Sequence, residues 1–425
     1  MDNLNLPEAK QLVNNLLNKS KHKDFLVGIS GGVDSLVLLS IINELKLTYD
    51  YNFRAIHINH NFSSNSNEME SRCIDLCNQY DIDLIIKHIQ PTKTSNIEEY
   101  LREKRYEIFL DTLSKNESLV LAHHLDDQVE TFFYRLFRGS SPIGLSSMKK
   151  ISIKNNKIIY RPLLSISKSI IINLAKQFSL NFVNDATNDD LNYHRNYIRK
   201  KIIPPIKKIW PELNQVMYHN ILLQDQYNKL ANDYCAKIYN DITINDNLEI
   251  NRLKVFPEHI HTIFIKFWIE KNINFKLSKN DLSNLLNIVN SENNDYPRYL
   301  LNDKVITKYN NTLYILSDHE KHLIKDKVWD LKNDIVFGKR KILIEKLKEK
   351  GIYDYLFNKA PITLKSFNGK EKISLNKNFS QYLKKVFQSN SIPTWERDRF
   401  ILLFSQETLL VAYSENHIFI SSYIR

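Results

Sequence analysis

The run Phe25-Leu26-Val27-Gly28-Ile29-Ser30-Gly31-Gly32-Val33-Asp34-Ser35 constrains this chain more than any other stretch. The apolar residues from Phe25 to Ile29 read as a short buried strand. The apolar stretch from Ser35 to Leu45 reads as a helix. Two adjacent glycines flanked by hydroxyl residues join them. Paired glycines let the backbone take positive φ and approach a ligand closely. Successive N–H groups then converge on an anion, and the free N–H groups of the first helical turn add to that field. The loop therefore reads as a phosphate cradle, with Ser30, Gly31, Gly32, Val33, Asp34 and Ser35 as its binding residues. Glycine usage sharpens the reading. The chain has 8 glycines in 425 residues, and Gly28, Gly31, Gly32, Gly139 and Gly144 all fall early. A sequence that avoids glycine keeps it where backbone geometry demands it.

The cradle is not a Walker loop, which carries a lysine just before its final Ser or Thr. Asp34 stands there instead. A carboxylate inside a phosphate loop repels its ligand unless a cation lies between them. Asp34 thus points to Mg²⁺ coordination, to orientation of the attacked group, or to both.

Strands and helices then alternate. Tyr51 to Ile58, Asp83 to Ile89 and Ser118 to Ala122 read as strands, with helices over Glu68 to Tyr80, Asn96 to Ser114 and Asp126 to Arg138. This order predicts an α/β fold with a parallel, doubly wound sheet covered on both faces. Ligands bind such sheets at the carboxyl ends of the strands. The loops Ser30–Ser35, His57–Asn61 and His123–Gln128 should share that edge. Ile151 to Tyr160 reads as a hairpin turning at Asn155-Asn156, followed by a helix from Lys168 to Phe178.

The second chemistry-bearing string is His123-His124-Leu125-Asp126-Asp127-Gln128-Val129-Glu130-Thr131. Imidazoles and carboxylates crowd a strand-to-helix turn there. Zinc spacing is not met elsewhere in the chain. An acidic and imidazole cluster facing a phosphate loop suits Mg²⁺ and proton handling, with Asp34 and Asp127 as the candidate metal ligands.

Downstream, Pro204-Pro205 and Pro211 interrupt the chain, and Glu212 to Tyr239 reads as a long helical arm. Leu253 to Lys271 and Leu277 to Val289 read as further helices, and Tyr299 to Leu316 as strands. Beyond residue 319 come short strand-like runs around one helix, Phe379 to Phe387. These shifts divide the chain into a catalytic domain at 1–205, a mainly helical arm and middle domain at 206–318, and a small α+β domain at 319–425. The last carries Lys384, Lys385, Arg397 and Arg399 interleaved with Tyr382, Phe387 and Trp395, a mixture that suits RNA phosphate contact and base stacking. The net charge of +11 fits a polyanionic partner. The cysteines Cys73, Cys77 and Cys235 imply no disulfide framework and fit a reducing cytoplasm. No signal sequence or membrane span is evident, so a cytoplasmic protein without a membrane partner is expected.

Ser30-Gly-Gly-Val-Asp-Ser35 resembles the PP-loop of the N-type ATP pyrophosphatase superfamily, whose members cleave ATP between the α and β phosphates. The wider pattern is similar to the tRNA(Ile)-lysidine synthase family. It comprises His57 to His60, His124 to Thr131, Arg138-Gly139 to Gly144-Leu145, Arg161-Pro162-Leu163, and Thr187-Asn188 to Arg195-Asn196-Tyr197-Ile198-Arg199, with Ile392-Pro393-Thr394-Trp395 near the end. Two departures stand out. Asn61-Phe62-Ser63 replaces a Leu-Arg-like segment, and Asn184-Asp185 replaces an acidic pair. The resemblance implies ATP and Mg²⁺ as cofactors, and tRNA(Ile) with a CAU anticodon and L-lysine as partners. The implied reaction adenylates the C2 oxygen of the wobble cytidine, after which the ε-amine of lysine attacks C2 and AMP leaves. Free lysine is protonated at neutral pH and must lose a proton first. Asp34, His124 and Asp127 are the candidates to accept it, and Arg195 the candidate to stabilise developing phosphate charge. A PP-loop tRNA thiolase and a non-catalytic tRNA-binding protein are the alternatives, and oligomeric state stays open, with a homodimer as one option.

Overall fold

Strand β1 (Asp24–Ile29) sends successive side chains to opposite faces, and the cores follow suit. Phe25, Val27 and Ile29 enter one hydrophobic cluster, while Leu26 enters another on the far side. A central strand buried on both faces is the mark of a parallel sheet between helical layers. The computed structural model describes residues 4–60, 65–90, 97–181, 190–291, 297–317, 324–338, 340–359, 361–376 and 379–424. The chain divides into two compact units, residues 1–234 and 235–425.

In the first unit, α1 (Leu6–Leu17) precedes β1, which leads through the glycine loop into α2 (Val33–Thr48). There follow β2 (Asn52–Asn59), α3 (Ser66–Gln79), β3 (Leu84–His88), α4 (Ile97–Thr112), β4 (Glu117–Leu121), α5 (Leu125–Phe137), and the short α6 (Pro142–Leu145). The hairpin β5 (Ile151–Lys154) and β6 (Lys157–Tyr160) leads to α7 (Lys168–Gln177). Next come α8 (His194–Tyr197), a π-helical turn over Ile198–Ile202, α9 (Ile203–Ile209) and the long α10 (Leu213–Lys237), within whose last turn the unit boundary falls. The sheet order is β3-β2-β1-β4-β6-β5. All neighbours are parallel except β5, which runs antiparallel to β6 at the edge. The expected parallel doubly wound sheet is therefore present. Its strand order reverses between β1 and β4, the switch point at which such sheets open a crevice.

Local chemistry explains the elements. Asn155 and Asn156 both take positive φ, 48° and 60°, as a two-residue hairpin turn requires. Gly28 has no side chain because a Cβ there would lie 2.7 Å from Leu121 and 3.1 Å from Phe109, so its absence lets α4 close onto the sheet.

Beyond α10, the second unit has α11 (Tyr239–Ile242) and an antiparallel sheet. Its strands are β7 (Thr243–Ile244), β8 (Asn247–Glu249), β9 (Arg298–Leu301), β10 (Lys304–Tyr309) and β11 (Thr312–Ser317). Helices α12 (Ile250–Leu253), α13 (Glu258–Ile273) and α14 (Lys279–Asn290) pack on it around Phe264, Trp268 and Leu285. The helix expected from Leu253 to Lys271 is thus broken, because Pro257 lacks an N–H to continue the ladder and instead starts α13.

A second antiparallel sheet follows, formed by β12 (Lys327–Trp329), β15 (Ile362–Ser366), β18 (Ile401–Ser405), β19 (Thr408–Tyr413) and β20 (Ile418–Ile420). Two small hairpins accompany it, β13 (Ile335–Phe337) with β14 (Arg340–Ile342), and β16 (Lys372–Asn376) with β17 (Phe379–Tyr382). Helices α15 (Ile344–Glu349), α16 (Tyr353–Asn358), α17 (Leu383–Ser389) and α18 (Thr394–Arg397) complete the unit. The helix expected over Phe379 to Phe387 begins only at Leu383. Its first residues are extended and pair with β16. Among the described residues, no helix is long and apolar enough to cross a membrane.

Candidate active site

Gly31 sets the loop's shape. Its φ of +79° lies in the left-handed region, and a Cβ there would fall 2.5 Å from the Met69 carbonyl oxygen. Gly32 then caps α2, whose first turn holds Asp34. The two serines brace the turn from within. The Ser35 hydroxyl donates to the Gly32 carbonyl at 2.9 Å and accepts from the Ser30 N–H at 3.0 Å. The cradle is thus held by its own side chains at the positive end of a helix.

A cleft of about 500 Å³ opens at this edge. It is lined by Ser30, Gly32, Val33, Asp34 and Ser35 from the first loop, by His57, Asn59 and His60 from the end of β2, and by His123 and Asp127 after β4. The three loops expected to converge do so. Arg102, Arg105 and Tyr106 from α4 form another wall, and Lys168 from the start of α7 completes it. Asn61, Phe62, Ser63, Asn184, Asp185, Thr187 and Asn188 lie outside the described residues.

The string from His123 to Thr131 divides by role. Asp127 accepts the His124 N–H at 3.0 Å, closing a capping box at the start of α5. Burial alone would raise its carboxyl, but His124, His123, that backbone bond and Arg199 outweigh burial and hold it below the ordinary range. His124 is buried among carboxylates. Its Nε2 lies 3.6 Å from Asp34 and 3.5 Å from Asp127, and its Nδ1 lies 3.9 Å from Asp126. His123 instead lines the cleft. Burial, helped by Arg161, Arg102 and Arg105 against the pull of Asp127, drives it well below the ordinary imidazole value, so it is neutral at pH 7. Gln128 is structural, exchanging two 2.8 Å hydrogen bonds with the Met148 backbone.

Asp126 faces away from the loop chemistry. It accepts from the Lys168 N–H at 2.8 Å, from Asn214 at 2.8 Å and from Lys207 at 3.2 Å, so it ties α5 to α7, α9 and α10. The Lys168 side chain in turn reaches Asp34, with Nζ 2.6 and 2.8 Å from its two oxygens. Sequence reading missed Lys168, whose partner is 134 residues away. It also singled out Arg195 rather than Arg199. Arg195 donates to Thr131 Oγ1 at 3.0 Å. Arg199 forms a two-pronged pair with the buried Glu130 and lies 3.9 Å from Asp127. Arg161 is buried, donating to the Lys149 carbonyl, Ser152 and Tyr106, and so anchors the hairpin to α4.

Asp34 and Asp127 flank one imidazole nitrogen, and a pair of carboxylates fits Mg²⁺, which takes one or two of them together with phosphate oxygens. Among the described residues no group of three or more His, Cys, Asp or Glu is arranged to hold a metal. Cys73 and Cys77 are buried, with Cys77 pushed up to about 12 by burial and Cys73 further still.

In the second unit, the basic and aromatic set divides between core and surface. Phe387 and Arg397 are buried, and Arg397 Nε donates to the Ile392 carbonyl at 2.9 Å. Trp395 packs on Tyr309 and Tyr314, with ring centroids 5.7 and 5.0 Å away. Neither Phe387 nor Arg397 is a surface contact residue. Tyr382, Lys384, Lys385 and Arg399 are exposed.

Comparison with known proteins bears on the same regions. A family model described as PP-loop domain matches residues 5–206, and one described as TilS substrate C-terminal domain matches residues 362–414. The chain is 33% identical over 406 residues to tRNA(Ile)-lysidine synthase of Haemophilus influenzae (strain 86-028NP), covering 91% of this chain and 94% of the relative. It is 32% identical over 408 residues to tRNA(Ile)-lysidine synthase of Buchnera aphidicola subsp. Acyrthosiphon pisum (strain APS), covering 92% and 90%. Among solved structures, the U34-tRNA thiolase NcsA of Methanococcus maripaludis aligns with 52% of this chain and 78% of its own, at TM-score 0.45 and 20% identity, a likeness too loose to carry an argument. With a glycine loop bearing Asp34 at the sheet's switch point and relatives matched over nine-tenths of their length, the chain belongs to the tRNA(Ile)-lysidine synthase family of PP-loop enzymes.

Proposed function

We propose that this chain ligates L-lysine to C2 of the wobble cytidine in a CAU-anticodon tRNA(Ile), using ATP and releasing pyrophosphate and AMP. The observation that carries the proposal is the meeting of Asp34, His124, Asp127 and Lys168 beside the glycine loop. In the first step the C2 oxygen of cytidine attacks the α-phosphorus of ATP, and the bond to the β-phosphate breaks to give pyrophosphate. The loop N–H groups and the α2 terminus hold the phosphates in place. Asp34 and Asp127 are the residues that would hold Mg²⁺, which when bound supplies positive charge to the phosphates.

In the second step the lysine ε-amine attacks C2 and AMP departs with the C2 oxygen. Adenylation matters because an unactivated carbonyl oxygen is a poor leaving group. The amine reaches the site protonated and must release a proton. Asp34, His124 and Asp127, whose side chains meet beside the loop, are the groups placed to accept it. Asp127, held ionised, suits the ammonium before that transfer. Arg102 and Arg105 supply positive charge on the cleft wall that suits RNA phosphate, whereas Arg135 donates to the Gly144 and Ser147 carbonyls. The thiolase alternative is weakened by Cys73 and Cys77, whose burial keeps both thiols protonated.

Incubation with ATP, Mg²⁺, labelled lysine and total tRNA tests the reading. Label should appear in a modified cytidine of one isoleucine tRNA, with pyrophosphate release. Asp34→Ala should abolish both. Pyrophosphate release without label in tRNA, or label in an aminoacyl ester, would overturn it.

A further inference from the structure

We infer that Lys168 is the phosphate-binding cation of this loop, supplied from outside it. The inference rests on the ATP-using reading above and assigns a residue to it. Between Gly28 and Ser35 the chain has no basic residue, and Asp34 stands where a Walker loop carries lysine. A loop that grips a triphosphate through backbone N–H groups still faces several negative charges on the β and γ phosphates. Lys168 meets that need by position. It lines the same cleft as Ser30, Gly32, Val33 and Ser35. Its Nζ lies within 2.8 Å of both Asp34 oxygens, so the cation already sits at the loop.

Its base is fixed and its tip is free to move. The Lys168 N–H is held by Asp126 at 2.8 Å, and α7 packs on α2 through Ile170, Ile171 and Leu174. The side chain is about a third exposed, at 36%. Rotation about its methylene stem can carry the ammonium from Asp34 to a phosphate oxygen without moving the helix. The ion pair is then the resting arrangement. When a triphosphate enters, Lys168 passes to the two phosphates that leave together, and Asp34 is released for Mg²⁺ or for substrate. Lys168 thus touches the leaving pyrophosphate and not the AMP portion.

That distinction gives the test. Binding of pyrophosphate, α,β-methylene-ATP and AMP to the full chain is measured for the wild type, Lys168→Met and Lys168→Arg. Lys168→Met should weaken pyrophosphate and the ATP analogue about tenfold or more, as loss of a charge-assisted hydrogen bond does, and AMP by about twofold or less. Lys168→Arg should keep most of the affinity. Unchanged binding of the analogue in Lys168→Met, or an equal loss for AMP, overturns the assignment. The wild type gives a second measurement that needs no variant. Pyrophosphate should slow reductive methylation of Lys168, read by peptide mass spectrometry, and AMP should not. Equal labelling with and without pyrophosphate also overturns it. If the wild type binds none of these ligands, the ATP reading itself fails. If it binds them and Lys168→Met matches it, only the role of Lys168 falls.

Discussion

Glu130 and Arg199 form a two-pronged ion pair, with Nε 2.6 Å from Oε1 and Nη2 2.8 Å from Oε2. Glu130 is buried, and burial outweighs the pull of Arg199, so its carboxyl titrates above the ordinary range. A raised carboxyl means the folded state holds its proton longer than the unfolded chain does. The pair's contribution therefore falls as pH rises from the ordinary glutamate value to the folded one. Arg199→Gln leaves the carboxylate unpaired and should cost about 2–4 kcal/mol near neutral pH, somewhat less than for a fully buried pair because Arg199 is partly exposed. The loss should shrink at acid pH, where Glu130 takes up a proton. Urea unfolding at neutral and at acid pH checks this, and a loss independent of pH contradicts it.

Asp126 carries the opposite sign. Burial would raise it, but the Lys168 N–H, Lys207 and Asn214 outweigh burial and hold it below its usual value near 3.8. A depressed carboxyl contributes stability that is fully present above that value and is lost as pH falls through the folded one. Asp126→Asn should lose about 1–3 kcal/mol at neutral pH. It should also flatten the acid side of the stability profile, whereas Asp126→Glu should retain part of that slope. Thermal unfolding followed from neutral pH down to about pH 3 reads both effects.

The parts of this fold that were legible in the sequence are those set by local chemistry. The glycine loop, the strands of the central sheet and the turn at Asn155-Asn156 each follow from residues within a few positions. The doubly wound class follows from their alternation. Contacts across the chain were not legible. Lys168 meets Asp34 only once α7 docks on α2, and nothing near Lys168 marks it. Arg195 and Arg199 are a helical turn apart, and the π-helical turn from Ile198 shifts the phase of the helix at Arg199. Adjacent His123 and His124 look alike in sequence, yet one lines the cleft and the other lies among carboxylates. In the second unit, interleaved basic and aromatic residues read as a surface. Composition cannot say that Arg397 turns inward to the Ile392 carbonyl.

Gly31 tests the cradle without touching a charged group. Alanine there meets both a positive φ of 79° and a backbone oxygen 2.5 Å from its Cβ. Strain of this kind costs about 1–3 kcal/mol, and relief requires the loop to open. Gly31→Ala should lower thermal stability modestly and weaken ATP binding strongly. Gly139→Ala also places alanine at positive φ, yet its Cβ would meet nothing within 4 Å, so it should leave ATP binding near normal. Equal ATP affinity in the two variants would show that the loop tolerates a side chain.

Trp395 gives the last prediction. It belongs to the short α18, yet its ring packs on Tyr309 of β10 and on Tyr314 of β11, with interplanar angles of 79° and 55°. These strands belong to the middle sheet of the same unit, so the ring packs α18 onto that sheet. An aromatic pair adds about 0.5–1.5 kcal/mol beyond its area. Trp395→Ala should therefore destabilise the second unit by about 2–4 kcal/mol once lost burial is included. A ring used for base stacking would predict something else, namely loss of tRNA affinity with stability intact. Trp395→Phe separates these roles, because phenylalanine keeps the ring contact with Tyr314 at lower area. It should recover more than half of the stability lost in the alanine variant, and tRNA affinity should recover in step with it. Calorimetry and filter binding on the same preparations read both quantities, and full stability with lost affinity would return Trp395 to the RNA surface.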